Sequence, residues 1–239
     1  MTGSTMSREL GEKTMSEMTG KALALSQKAF TRVLDVGVDG AGRFKGAVDV
    51  AEEVFKTRGG DTEEAVRHLI RIHVRLAATT GGLTGLGGLI TLPVSLPVGI
   101  GGYYLLGARL AGGVAHLRGH DVHSEDVRTA VLLAMLGSAG TEIVKDAGIT
   151  IGTKGLAAAL AKVPGKVFID INKKVGFRLV TKGGTKGAIN AGKLVPFIGG
   201  PIGATIDGVS MRAVGGYAKS AFPLVFPPQN AGTGAAAGT

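Results

Sequence analysis

The side chains with the widest chemical range in this chain are five histidines, and three of them lie close together in the sequence. One short stretch holds His116, His120, Asp121, His123 and Ser124. Histidine and carboxylate at such spacing can ligate a metal ion, and the same residue types make up hydrolase triads. Gly119, however, is expected to end the helix that carries His116, so the first two histidines need not share a helix face. Capping of a helix end by imidazolium is the stronger interpretation, and we predict no metal site and no catalytic residue here.

A second candidate is the octapeptide GAINAGKL at positions 187–194, which approaches the phosphate-binding loop GxxxxGKS/T. Leu194 stands where that loop has the hydroxyl that holds magnesium, and no β-strand pattern precedes it, so the match fails. No pair of carboxylates is placed for acid–base catalysis, and the chain has no cysteine to act as a nucleophile or thiolate ligand. We therefore expect a protein that is not an enzyme and needs no cofactor.

The elements around these residues are dominated by one uncharged stretch of 33 residues, at positions 76–108. It is longer than the roughly 20 apolar residues that cross a bilayer. Nine of its residues are glycine, however, and Pro93 and Pro97 cannot donate a backbone hydrogen bond, so one straight membrane helix is a poor interpretation. The prolines divide the stretch into two short apolar segments, which predicts either a buried helical hairpin or a re-entrant membrane element.

A second uncharged block, at positions 194–206, has the same mixture of glycine, proline and aliphatic residues. In both blocks small residues recur every four positions, which makes ridges that let two helix backbones approach closely. We therefore expect the two uncharged blocks to pack against each other at the centre of the protein. The predicted helix-packing glycines are Gly81, Gly85, Gly88, Gly199 and Gly203.

The formal net charge is +9, and positions 145–193 hold ten basic residues against two acidic ones. Such a block suits an anionic partner, and phospholipid head groups fit better than nucleic acid because no nucleic-acid-binding motif is present. A lysine-rich surface that only keeps an apolar protein soluble is the simpler alternative. Arginines at positions 67, 71 and 75 add a cationic row on one helix face, which a Glu63–Arg67 pair would partly neutralise.

The predicted lipid-contact residues combine these cations with apolar and aromatic side chains of the long uncharged stretch. Tyr103 and Tyr104 belong to the set because aromatic residues concentrate at membrane interfaces, although a tyrosine that caps a soluble core is an equally good interpretation. The full set is Arg67, Arg71, Arg75, Leu83, Leu86, Leu89, Ile90, Tyr103, Tyr104, Lys162, Lys166, Lys173, Lys174, Lys182 and Lys186.

Helical periodicity without an alternating strand pattern predicts an all-α fold. We expect a multi-helix bundle with two glycine-rich apolar helical hairpins or segments packed at its centre. The predicted divisions are a disordered N-terminus at 1–15, amphipathic helices at 16–60, the main helical domain at 61–222 and a disordered tail at 223–239. Asp61 and Glu64 predict a capping box at the start of the clearest helix, which should end near Ala78.

Glycines and prolines predict where the other helices end. The N-terminal helices are expected at 16–36 and 43–57, and later helices at 98–117, 124–136 and 202–220. Within the basic block, helix breaks are expected at Gly148, Gly152, Pro164-Gly165 and Gly183-Gly184.

Five segments resemble, in the same order, motifs of the bacterial EcsC family. They are IHVRLAAT at 72–79, GLTGLGGLITLP at 82–93, VRTAVLL at 127–133, INKKVGFRL at 171–179 and KLVPFIGGPIGA at 193–204. The resemblance covers about residues 61–222, and its specificity lies in the combination of motifs. The family takes its name from a protein encoded beside an ABC transporter. The resemblance implies an α-helical, bacterial, membrane-associated protein without an established catalytic activity, and it supplies no catalytic residues.

Two functions follow as the main hypotheses, and an enzyme that uses the His116–Ser124 corner is a third. The first is a peripheral or monotopic protein at the cytoplasmic face of the cell membrane, which binds anionic phospholipid through its uncharged blocks and its basic side chains. Stable anchoring takes more than one weak signal, and this chain offers both. The second is a soluble helical interaction module that buries both blocks and binds a protein, with a membrane transporter as one candidate partner. Nucleic acid is not expected as a partner.

Overall fold

The computed structural model describes residue 28 and residues 31–84, 101–191 and 199–225, with the side chains of all of these except 80–84, 101, 179–191 and 199–203. These residues form an all-α bundle, as the sequence predicts, and their only β contact is an isolated bridge between Ala41 and Phe44. In chain order the helices are α1 at 31–39, α2 Ala47–Thr57, α3 Thr62–Thr84, α4 Gly101–Leu117, α5 Glu125–Leu136, α6 Ser138–Asp146, α7 Gly155–Leu160, α8 Gly165–Ala191 and α9 Gly199–Ala221.

Helix α4 lies at the centre of the bundle, in contact with α2, α3, α5 and α9. Every residue from 104 to 115 except Arg109 is buried, which explains why this helix is apolar on all sides. Glycines let the neighbouring helices come close. A Cβ atom at Gly113 would lie 2.8 Å from Leu69 Cδ2 of α3, and one at Gly37 would lie 2.6 Å from Ala108 Cβ. The described C-terminal part of the stretch 76–108 is therefore core.

Helices α3 and α9 make the most extensive helix pair among the described elements. They run antiparallel, because Glu63 at the start of α3 is paired with Lys219 near the end of α9, with 3.5 Å between Oε2 and Nζ. Further along α3, Ala78 faces Gly208, which lies in the first half of α9. The contact therefore runs from the start of α3 to at least Ala78 and joins parts of the chain that are far apart in sequence.

A buried arginine ties three helices together at the end of α4. Arg118 Nη1 donates to Lys219 O (2.8 Å) and Phe222 O (2.9 Å), and its Nη2 donates to Glu63 Oε1 (2.6 Å). The last carbonyls of α9, which have no partner within their own helix, are satisfied in this way. Val225 N then donates to Arg118 O (2.9 Å), so the first three residues of the predicted disordered tail lie against α4. Residues 226–239 lie outside the described residues.

The start of α3 is capped as predicted on one side only. Asp61 Oδ1 accepts a hydrogen bond from Glu64 N at 2.8 Å. The return bond of a capping box does not form, because the Glu64 side chain instead accepts from Arg67 Nε (3.0 Å) and Arg71 Nη2 (2.9 Å). The predicted Glu63–Arg67 pair is also wrong, since Glu63 pairs with Arg118 and Lys219 on other helices.

Several predicted helix ends differ from the structure. Helix α3 continues to Thr84, and α8 continues through the predicted break at Gly183-Gly184 to Ala191. An interior glycine costs a helix about 1 kcal/mol but does not by itself end it. Helix α9 begins at Gly199, ahead of Pro201, because proline in the first turn lacks only an N–H that would have no acceptor within the helix. The bend between α1 and α2 lies at 40–46, later than predicted.

Candidate membrane-contact surface

Helices α3, α4 and α9 adjoin the two uncharged blocks. The ends of these helices that lie next to the blocks are at the same end of the bundle. Helix α3 is antiparallel to α9 and also to α4, because Arg109 Nε donates to His73 Nε2 (3.1 Å), while Gly113 further along α4 meets Leu69 earlier in α3. The C-terminal end of α3 and the N-terminal ends of α4 and α9 therefore lie on the same side. We call this side the apolar end, defined by Thr84, Gly101 and Gly199.

The described side chains of α9 that lie toward the apolar end include two exposed aliphatic residues. Val209 is 65% exposed and Ile206 is 41% exposed, and the two lie three residues apart on one face of α9. On α3, the exposed Thr79 hydroxyl donates to Arg75 O (3.0 Å) and Leu76 O (2.9 Å). The Thr79 hydroxyl is thus hydrogen-bonded within its own helix, so its transfer from water to an apolar environment costs little free energy.

The arginine row on α3 is not uniform. Arg67 and Arg71 both bind the Glu64 carboxylate, at 2.8 and 2.9 Å, and the hydrogen bond from Arg67 is the main reason that the pKa of Glu64 is lowered. Arg75 is exposed and lies one turn closer to the apolar end than Arg71. Among the three predicted head-group contacts, Arg75 therefore has the best position, and the charges of Arg67 and Arg71 are partly neutralised.

The two predicted interfacial tyrosines lie inside the bundle. Tyr104 is only 2% exposed, so its proposed lipid contact is wrong, and burial raises its pKa to about 12. Tyr103 is half-buried between α4 and α9, where burial and the nearby Asp207 charge raise its pKa and Ser210 provides a side-chain hydrogen bond. The two rings meet edge to face with centroids 5.6 Å apart. Tyr104 therefore packs α4 in the core, which was the alternative interpretation, and the lipid contact of the half-buried Tyr103 stays a prediction.

A second exposed surface runs along the first half of α8. Its buried face, with Ile171 and Val175, packs on the bundle, and Asn172 Oδ1 accepts from Thr129 Oγ1 of α5 at 3.0 Å. The opposite face combines exposed cations with two exposed apolar side chains. We call it the α8 face, and it consists of Lys166, Ile169, Lys173, Lys174 and Phe177, with the exposed Asp170 among them. Lysine stems beside apolar anchors are typical of surfaces that lie at a membrane interface.

The C-terminal end of α8 is connected to the start of α9 by a short segment. Residues 191 and 199 are joined by eight Cα–Cα steps, which cover at most roughly 29 Å. The C-terminal end of α8 therefore lies within that distance of the start of α9. Lys182 and Lys186 belong to the second half of α8, although their side chains are outside the described residues.

Beneath the apolar end, a buried histidine holds an arginine in place. His73 Nδ1 donates to Leu69 O (2.8 Å), which leaves Nε2 to accept from Arg109. Burial lowers the pKa of His73 to about 4, and the neighbouring Arg109 charge acts in the same direction. The Arg109 guanidinium lies 4.5 Å from the ring centroid of Phe44, a cation–π contact. This cluster links α3 and α4 to the turn before α2.

The side chains of His116, His120 and His123 do not converge on one point in the structure. Gly119 adopts φ +83° and ends α4, as the sequence predicts, and the two flanking histidines have separate partners. His120 Nε2 donates to Pro223 O (2.8 Å), while His116 lies 3.7 Å from Glu52. Across the part of the chain that the structure describes, no group of three or more histidine, aspartate or glutamate side chains is placed to hold a metal ion.

Several predicted site residues cannot be located. Leu86, Leu89, Ile90, Gly85 and Gly88 lie outside the described residues. Leu83, Gly81, Gly199 and Gly203 lie on α3 or α9, but their side-chain surroundings are outside the described part. Lys162, Lys166, Lys173 and Lys174 are all exposed.

Besides Gly37 and Gly113, two helix-packing glycines of α9 were not among those predicted. Gly208 lies against Val74 and Ala78, and a Cβ atom at Gly215 would lie 2.8 Å from Ile70 Cγ1. They are seven residues apart, so they share one face of α9. The seven-residue spacing could have predicted this packing face, but Gly216 and other nearby glycines make the spacing hard to recognise in the sequence.

No described helix combines the length and the apolar composition that crossing a membrane requires. Searches of protein family models, of curated proteins and of solved structures each give no match to this chain. The resemblance to the EcsC family therefore remains a prediction from the five sequence motifs.

Proposed function

We propose that this chain is a non-enzymatic, membrane-associated helical protein that binds anionic lipid surfaces. The apolar end supplies the lipid contact, and Arg75 with the lysines of α8 supplies the contact with anionic head groups. The observation that carries the proposal is that both uncharged blocks border the same end of the bundle. In this proposal the protein lies at the cytoplasmic face of the cell membrane as a peripheral or monotopic protein, in keeping with the EcsC resemblance.

The physical argument rests on two contributions that act together. Exposed aliphatic side chains at the apolar end gain about 25 cal/mol for each Å² that leaves water. Each Lys or Arg near an anionic membrane surface adds about 1 kcal/mol. Neither contribution holds a protein on a membrane alone, but two signals in one surface region give stable binding.

Vesicle flotation with the full chain tests this proposal. Vesicles of phosphatidylcholine alone are compared with vesicles in which about a third of the lipid is phosphatidylglycerol. We expect strong recovery with the anionic vesicles, weaker recovery with the neutral ones, and a loss of the difference at high salt because exposed charges are screened. Equal recovery on both vesicles would remove the electrostatic part, and recovery on neither would refute the proposal.

A matched pair of variants tests the apolar end itself. Val209→Asp changes an exposed residue of α9, and Leu224→Asp makes the same kind of change at a 52% exposed position beyond the other end of that helix. Loss of valine contact and the added negative charge each cost about 1 kcal/mol, so V209D should lower vesicle partitioning roughly thirtyfold. L224D should partition like the unmodified protein. Equal partitioning of the two variants would show that the apolar end does not face lipid.

A further inference from the structure

An open groove lies between α6, α7 and the start of α8, away from the apolar end. It has a volume of about 570 Å³ and is lined by the connection at 147–154, by α7 and by the first turn of α8. Pockets of this size accommodate a small organic molecule and exceed the space that one inorganic ion fills.

The charge of the groove has one sign. Lys154 and Lys162 line it together with Thr150 and Thr153, and none of its lining residues is acidic. Its remaining walls are mainly alanine, valine and glycine. A molecule with an anionic group and a short organic part would therefore meet cations and hydroxyls on one side and an apolar wall on the other.

Backbone amides add further donors. The end of α6 is closed by Gly148 N, which donates to Lys145 O (2.9 Å), and by Ile149 N, which donates to Val144 O (3.1 Å). The five amides from 150 to 154 then donate to no acceptor within the part of the chain that the structure describes. Consecutive amides of this kind form concave sites for anions.

The start of α8 faces the same space. Pro164 and Val167 line the groove, and the first described hydrogen bond of this helix is from Phe168 N to Pro164 O (3.0 Å). The earlier amides of the first turn have no acceptor within the helix, and the helix dipole places partial positive charge there. Two lysines, four residues of the loop at 150–154 and the residues that begin α8 thus line the same groove.

We propose that this groove binds a phosphate group carried by a small organic molecule. A phosphate monoester has several acceptor oxygens and close to two negative charges, which matches two lysines and several separate N–H donors better than a carboxylate does. The same chemistry occurs in a soluble phosphate ester and in the head group of phosphatidic acid. This proposal does not depend on the apolar end, because the groove is built from other elements.

The test uses the full chain with sn-glycerol 3-phosphate as the probe and glycerol as the uncharged comparison. Calorimetry measures affinity, and ¹⁵N amide shifts locate the site. We expect glycerol 3-phosphate, but not glycerol, to bind and to shift the amides of 150–154. K154Q/K162Q should weaken binding at least about tenfold, because two charge-assisted contacts are removed. K173Q/K174Q removes the same charge from the α8 face and should change affinity less than about twofold.

Two arms distinguish the source of the phosphate. Vesicles with phosphatidic acid are compared with phosphatidylglycerol vesicles of equal surface charge. If K154Q/K162Q loses recovery only on phosphatidic acid, the groove takes a lipid head group; if recovery is unchanged while soluble binding is lost, it takes a soluble ester. Both results support the site. Absence of binding to both probes overturns it, as does an equal loss in K173Q/K174Q.

The outcomes also separate this proposal from the proposed function. V209D should leave binding of glycerol 3-phosphate unchanged, whereas K154Q, which keeps the predicted lipid contact Lys162, should leave recovery on phosphatidylglycerol vesicles largely intact. Because Lys154 and Lys162 are exposed, their replacement should not unfold the protein, and an unchanged Tm verifies this.

Discussion

Replacing Gly215 or Gly216 with alanine tests whether glycine is what lets α9 pack against α3. The two residues are adjacent but differ in surroundings. A Cβ atom at Gly215 would lie 2.8, 3.0 and 3.1 Å from Cγ1, Cγ2 and Cδ1 of Ile70, whereas one at Gly216 would have no neighbour within 4 Å. Since Ile70 is β-branched, its side chain has few other rotamers in a helix with which to avoid the new methyl group.

The expected effects have different signs. In a helix interior alanine is favoured over glycine by about 1 kcal/mol, so Gly216→Ala should stabilise the protein by about that amount. Gly215→Ala gains the same term but overpacks the contact with Ile70, which costs about 1–3 kcal/mol. The propensity term cancels between the two variants. Their difference in unfolding free energy should therefore be about 1–3 kcal/mol, with G216A the more stable.

Urea unfolding followed by far-UV circular dichroism measures this difference, since the chain has no tryptophan for fluorescence. In thermal unfolding the same difference corresponds to roughly 2–12 °C in Tm for a chain of this length. The Ile70→Ala background provides the control, because it removes all three contacting carbon atoms. In that background G215A and G216A should have equal effects.

The reasoning is refuted if G215A is as stable as G216A in the unmodified background. Such a result would mean that Ile70 moves aside without cost and that α3 and α9 do not require glycine at their contact. A difference that persists in the Ile70→Ala background would assign the effect to the backbone of α9 instead.

Two further predictions concern buried polar groups. Arg118→Leu should lower the unfolding free energy by about 2–6 kcal/mol, because it leaves two carbonyls at the α9 end without their donor at about 1–3 kcal/mol each, while Glu63 keeps Lys219 as a partner. Urea unfolding checks this, and a change no larger than that of the exposed Arg67→Leu would contradict it. The pKa of His73 is lowered from 6.5 to about 4, so the unfolded chain takes up a proton before the folded one does, and stability should fall by about 3 kcal/mol as pH drops through that window. Unfolding free energies measured from pH 7 to pH 4 should show a shallower decline in His73→Gln, and equal declines would contradict the assignment.

Local signals in the sequence were enough to predict the all-α class and the positions of several helix ends. Gly119 and Gly148 both end helices, because each adopts positive φ and lets the following amides reach back to the last turn. Asp61 could be predicted as a helix cap because the amide that it accepts from is only three residues away. The prediction failed at Gly183-Gly184, where nothing local decides between an interior glycine and a helix end.

The candidate site depended on contacts that are remote in sequence. Burial of Tyr104 follows from α4 being surrounded by four helices, which its own sequence does not reveal. Glu63 was predicted to pair within its helix, but it meets Arg118, which is 55 residues away. The groove at 147–167 was not predicted, because nothing in the sequence shows that Lys154 and Lys162 line the same cavity. Only the packing of α7 and the start of α8 places them there.

The antiparallel pairing of α3 with α9 has a consequence for synthesis on the ribosome. Ile70 and Gly215 are about 145 residues apart. At about 5–20 residues per second, α3 emerges roughly 7–30 s before the helix that covers it. During that interval the side of α3 that packs against α9 lacks its native partner, although α2 and α4 are already present. We expect stalled nascent chains that end before residue 199 to be cleaved by protease within α3, and full-length chains released from the ribosome to resist.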